Sequence, residues 1–140
     1  NLENKVKQMQ GWKNVDFLGY VDREGIQNTL SESFAGLVVL HPTQSYLDSL
    51  PVKMFEYMCA GIPVIASDFP LWRSIVDEAQ CGLCVDPLNP SAIASAIKTL
   101  NSNRIDAQRM GENGRVAVLE KYNWNIEEQK LFEFYSKILG

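Results

Sequence analysis

Three charged residues, Asp48, Lys53 and Glu56, punctuate an otherwise uncharged stretch. It runs Asp48-Ser-Leu-Pro-Val-Lys-Met-Phe-Glu56 and continues Tyr-Met-Cys-Ala-Gly61-Ile-Pro-Val-Ile-Ala-Ser67. Lys53 and Glu56 are three apart, so on a helix they share one edge. A carboxylate and an ammonium beside an apolar helix, behind a loop that opens at Asp48, suit the rim of a ligand site. Free amides at the start of such a helix attract an anion or a sugar hydroxyl oxygen. The plain alternative is a solvated Lys53–Glu56 pair, worth roughly 0.3 kcal/mol.

The elements that must carry these residues are a loop, a short helix, a tight turn and a buried strand. Pro51 suits the first helical position, where its missing N–H has no intrahelical partner anyway. Ser49 is placed to cap the free amides, and Gly61 to end the helix in a left-handed conformation. Met54 with Met58, and Phe55 with Cys59, give the helix a broad apolar face.

This stretch resembles the donor-site motif of the retaining glycosyltransferases of family 4, which have the GT-B fold. That motif is a Glu, seven residues, and a second Glu on a helix running into Ala-x-Gly-x-Pro-Val. Glu56 holds the second place, and Asp48 holds the first as an Asp-for-Glu departure. The resemblance implies that Glu56 binds the ribose hydroxyls of a nucleotide. It places Asp48, one methylene shorter than the family's Glu, near the donor sugar. It implies that the loop Ser49, Leu50, Pro51 and Val52 contacts sugar or phosphate, and that Lys53, in a Pro-x-Lys-x-x-Glu variant, sits near a phosphate. Thr43 and Ser45 match the polar loop that precedes the family motif. Asp48 and Lys53 are therefore the implied catalytic residues.

The composition of the 140 residues, 46% hydrophobic and 21% charged, is that of one globular domain. A net charge of −4 argues against a nucleic-acid surface, which needs clustered Lys and Arg. Cys59, Cys81 and Cys84 are too sparse for a disulfide scaffold and fit a reducing cytoplasm. Cys81-Gly-Leu-Cys84 has CxxC spacing but reads as a strand, whereas a redox pair belongs at a helix start. Packed thiols are the default there. No Asp-x-Asp pair or His-x-x-x-His spacing suggests a metal, and no cofactor is expected beyond a nucleotide-sugar as substrate.

Along the chain, helices are predicted over 2–10 and 23–33, the second capped by Asp22. Val15–Leu18 reads as a short strand, 35–40 and 62–66 as buried strands, and 82–85 as a fourth. His41 to Leu47 reads as a polar loop. Helices follow over 71–78, 92–100, 105–121 and 125–139. Asp68 is expected to cap the helix after Pro70, Trp72 to pack, His41 to make a structural hydrogen bond and Trp124 to anchor the last helix. Strands alternating with helices imply a doubly wound, Rossmann-like parallel sheet, with ligands at the strands' carboxyl ends. The loops after Leu40 and Ala66 lie on that edge.

The resemblance extends over almost the whole chain, through Asn14-Val-Asp-Phe-Leu-Gly19, Gly82-Leu-Cys-Val-Asp-Pro87 and Tyr122-Asn-Trp124. It implies that 1–140 is one nucleotide-sugar-binding domain, the C-terminal half of a GT-B glycosyltransferase lacking its first strands, and that 125–139 is the closing helix. Its implied partners are a nucleotide-sugar, an absent N-terminal acceptor domain and, through the full-length protein, a peripheral membrane contact. Strands missing beside 35–40 imply an open sheet edge and a tendency to self-associate. The implied location is the cytoplasm, at the inner face of a membrane. Such a chain would not transfer sugar alone. The other functions weighed are a GT-B sugar-nucleotide epimerase and a non-catalytic flavodoxin-like module.

Overall fold

The computed structural model, which describes residues 2–139, turns these patterns into a parallel sheet with helices on both faces. The predicted domain bounds at 1 and 140 lie outside the described residues. Strands β1 (Gly36–Val38), β2 (Val64–Ser67) and β3 (Gly82–Val85) lie side by side in that order. Both pairings are parallel, with Val38 opposite Ala66 and Ser67 opposite Val85. The helices are α1 (Leu2–Lys7), α2 (Arg23–Glu32), α3 (Gln44–Leu47), α4 (Val52–Ala60), α5 (Pro70–Ala79), α6 (Pro90–Ser102), α7 (Arg104–Glu120) and α8 (Trp124–Leu139), with a 3-10 turn at Gln10–Asn14.

Side chains of β2 alternate between the two faces, as strand geometry requires. Val64 and Ala66 join Met54 and Met58 of α4 and Trp72, Ile75 and Val76 of α5 in one core. Ile65 joins Ala96 and Leu100 of α6 and Ala107 of α7 in the other. The four-residue spacing of Met54 and Met58 thus does what it predicts, since both are fully buried. Asp22 caps α2, accepting from the Gly25 N–H at 2.9 Å. Gly61 ends α4 with φ 72° in the left-handed region.

Several elements differ from the sequence reading. Residues 15–18 pair with no strand among the described residues, and Val15, Phe17 and Leu18 are 49–62% exposed. A strand is held by a neighbouring ladder, and β1, β2 and β3 occupy only each other. The first helix stops at Lys7 and gives way to the 3-10 turn. The loop 41–47 contains α3, one helical turn. Trp124 is 70% exposed, which does not fit an anchor of the helix. Asn123 does that work, its side chain donating to the Val118 and Leu119 carbonyls and accepting from the Ile126 N–H. Beside it, the Tyr122 ring packs on Phe55 at 5.4 Å. The apolar side chains Leu131, Phe134, Tyr135 and Ile138 of α8 are all exposed.

β1 is an edge strand among the described residues. The Gly36 N–H faces β2, donating to the Pro63 carbonyl, so Leu37 faces the open side. There the Tyr57 hydroxyl donates to the Leu37 carbonyl at 3.2 Å. No helix among the described residues is long and apolar enough to cross a membrane.

Candidate active site

β1 and β2 end side by side, and the chain leaves β1 through a loop, 39–51, that is tied down at both ends. At the near end Ser67, fully buried, extends the β1–β2 pairing beyond Val38. Its hydroxyl accepts from the Leu40 N–H at 2.8 Å and donates to the Leu40 carbonyl at 2.9 Å. At the far end the indole N–H of Trp72 donates to the Ser49 carbonyl at 2.6 Å. Between these points lies α3, whose Tyr46 and Leu47 N–H groups donate to the Thr43 carbonyl. Asp48 closes α3, and its exposed carboxylate accepts from the Gln44 side chain at 2.5 Å. Ser45 is exposed on the same turn.

The start of α4 is open. Pro51 is its N-cap, with φ −78° and ψ 122°, and the first helical residue is Val52. Ser49 therefore stands two residues too early to cap the helix. It contributes its carbonyl to Trp72 instead, which corrects the expected role of its hydroxyl. Among the described residues, the N–H groups of Leu50, Val52 and Lys53 have no hydrogen-bond partner. Two further expectations change nearby. Asp68 does not cap α5, whose N-cap is Phe69; its carboxylate takes the Arg73 Nε–H at 2.5 Å, which holds the carboxyl below the usual range. His41 is exposed, and among the described residues only its backbone carbonyl is bonded, to the Thr43 N–H.

Glu56 points elsewhere. It lines a groove of about 550 Å³ between α2 and α4, floored by Ile26, Leu30 and Phe55. That volume falls in the range of small-molecule sites. Arg23 and Gln27 of α2 face Glu56 from the other wall. Among the described residues neither Arg23 nor Glu56 has an ion-pair partner, and Lys53 does not pair with Glu56. The plain alternative, a mutual Lys53–Glu56 pair, is therefore not formed.

The sequence-predicted residues thus fall in three places. Val52 and Glu56 line the groove, Asp48 to Pro51 form the loop at the mouth of α4, Thr43 is the N-cap of α3 and Ser45 lies in it. Lys53 is exposed in the first turn of α4, between loop and groove. Sequence reasoning missed Arg23 and Gln27. Their four-residue spacing just after the Asp22 cap put both on one helix edge, but nothing local said that this edge meets α4. It took Trp72 and Ser67 only as packing or strand-end residues.

The three thiols are free. Burial pushes Cys81 and Cys84 up to about 11, so at pH 8 roughly one in a thousand of either is thiolate. Cys59 is exposed on α4, and its thiol is raised too, by partial burial and then by Glu56. Iodoacetamide at pH 8 is expected to modify Cys59 first, with Cys81 and Cys84 reacting only in denaturant or as the pH climbs toward 11. Peptide mass mapping over time checks this order. Early labelling of Cys81 would show that the sheet opens locally.

The profile of the family described as glycosyl transferases group 1 matches residues 1–117. A phosphatidyl-myo-inositol mannosyltransferase of Mycobacterium leprae is 28% identical over 91 residues, 65% of this chain and 24% of that protein. The D-rhamnosyltransferase WbpZ of Pseudomonas aeruginosa is 30% identical over 104 residues, 74% of this chain and 26% of that protein. Among solved structures, the sucrose-phosphate synthase of Thermosynechococcus elongatus superposes with a TM-score of 0.83 at 26% identity, over 99% of this chain and 33% of that one. The chain thus spans about a quarter to a third of the length of the relatives it matches.

Proposed function

The chain belongs to the group 1 glycosyl transferases, with the Rossmann-like parallel sheet of the GT-B fold, and from that premise we propose that it binds the nucleotide-sugar donor of a sugar transfer that retains anomeric configuration, as in family 4. The observation that carries this is Glu56. Among the described residues it is an unpaired carboxylate on the wall of an apolar groove, one helical turn from a helix mouth with unpartnered amides. A nucleoside fits the groove with Glu56 accepting from its ribose hydroxyls. The diphosphate then lies over the N–H groups of Leu50, Val52 and Lys53, where the helix end and the Lys53 ammonium balance its charge. Ser49 and Pro51 shape this loop. Asp48, with Thr43 and Ser45 nearby at the start of α3, faces the sugar.

In transfer, the bond from the anomeric carbon to the diphosphate oxygen breaks, and an acceptor oxygen forms the new bond on the same face. The local contribution is positioning and stabilisation of the departing diphosphate. A metal is not needed where amides and Lys53 take that charge. The acceptor side of the cleft comes from a second domain, so the chain alone is inactive, and residues 125–139 form the helix that closes on that domain. The enzyme works at the cytoplasmic face of a membrane. No observation favours the epimerase or flavodoxin-like readings.

The test is to incubate the full-length protein with UDP-, GDP- and ADP-sugars and candidate acceptors. Nucleoside diphosphate release and the anomeric coupling of the glycoside are then read by NMR. Release with one base and product of unchanged configuration supports the proposal. Product of inverted configuration removes retention, and interconversion of the free sugar-nucleotide without transfer replaces the transferase by an epimerase.

A further inference from the structure

We propose that Trp72 is a positioning residue for the donor diphosphate, acting by fixing the peptide group between Ser49 and Leu50. The proposal rests on the donor site proposed above and adds a residue that touches no ligand. Trp72 is fully buried in α5, with Phe69 against it at 4.8 Å and an interplanar angle of 61°. Its indole N–H reaches across 23 residues of sequence to the Ser49 carbonyl, at 2.6 Å. A buried indole N–H needs such a partner, and the packing around the ring leaves it little freedom to find another.

The consequence runs through the geometry of the peptide. The group is planar and trans, so its carbonyl and its N–H point in opposite directions. Turning the Ser49 carbonyl inward to Trp72 therefore turns the Leu50 N–H outward. That N–H has no partner among the described residues, and Leu50 is 47% exposed. The unpartnered N–H groups of Val52 and Lys53 belong to α4 and take their direction from the helix. Leu50 lies outside the helix, so the direction of its N–H is set by Trp72. Donors aimed before the reaction stabilise a developing anion without reorganising during it.

Trp72→Phe keeps an aromatic ring in the core and removes the N–H. In the full-length protein, uridine, guanosine and adenosine and their diphosphates are titrated by calorimetry into parent and variant. The diphosphate is expected to bind about tenfold more weakly to the variant, the equivalent of about 1.4 kcal/mol. Nucleoside affinity is expected to stay within about twofold, because the groove around Glu56 is untouched. Equal losses for nucleoside and diphosphate reduce Trp72 to a packing residue and overturn the proposal. Unchanged diphosphate binding overturns it too, with the donor site left standing. A parent that binds no nucleotide overturns the donor site and Trp72's role together. Should Trp72→Phe fail to fold, 3-benzothienylalanine at position 72 keeps the shape of the ring system, puts sulfur in place of N–H and carries the same outcomes.

Discussion

Glu56→Ala is expected to weaken binding of the cognate nucleoside diphosphate about hundredfold, the equivalent of about 2.7 kcal/mol. A carboxylate that accepts from two ribose hydroxyls makes two charge-assisted bonds, each worth roughly 1.5–3 kcal/mol. Part of that gain, about 3–6 kcal/mol for the two bonds, is offset by drying an exposed carboxylate, which brings the expected loss just below that range. Glu56→Gln keeps an acceptor and loses the charge, so a loss of about tenfold is expected. Neither change should move folding stability by more than about 0.5 kcal/mol, because Glu56 is exposed and unpaired. Asp48→Ala provides the contrast. Placed near the sugar, it is expected to leave diphosphate affinity within about twofold and to slow transfer. Calorimetry on the three variants separates these effects, and a Glu56→Ala protein with parental affinity would remove Glu56 from the site.

Gly111→Ala is expected to destabilise the fold by about 3 kcal/mol, against the intrinsic helix preference for alanine of about 1 kcal/mol. Gly111 lies in the middle of α7, where α7 crosses the turn that ends α4. A Cβ there would stand 2.0 Å from the Gly61 carbonyl oxygen and 2.7 Å from its carbonyl carbon. Both are backbone atoms of a turn already set by Gly61 in the left-handed region, so neither can rotate away. The helices must separate instead, loosening the Met58 and Val118 core beneath. Glu112→Ala, one residue on and exposed, is the control, expected within about 0.5 kcal/mol of the parent. Urea unfolding of the two variants checks the difference. A Gly111→Ala protein as stable as the control would show that α4 and α7 do not meet as described.

What the sequence made legible is what short-range patterns encode. Short, mostly apolar runs located β1, β2 and β3. Four-residue spacing located the buried face of α4, and local chemistry located the Asp22 cap and the Gly61 turn. The errors share a cause, which is dependence on partners far along the chain. Val15–Leu18 has strand composition but no ladder beside it. Ser49 has the chemistry of a cap, yet its carbonyl is claimed by Trp72, 23 residues on. Asp68 has it too, and is claimed by the Arg73 guanidinium. Ser67 reads as a strand end, and its hydroxyl holds both backbone groups of Leu40, 27 residues back. The site was legible in the same uneven way. The helix carrying Lys53 and Glu56 was placed correctly, while the wall formed by Arg23 and Gln27 depends on how α2 lies against α4.

The most direct measurement is amide hydrogen exchange of the full-length protein with and without saturating UDP, GDP and ADP, compared with Glu56→Ala. Donor binding at this site predicts slowed exchange in residues 48–56 and in the α2 segment facing them, with one base only, and far less of it in the Glu56→Ala protein at the same nucleotide concentration. Nucleotide binding that protects other residues, or that protects 48–56 equally in the Glu56→Ala protein, would contradict it.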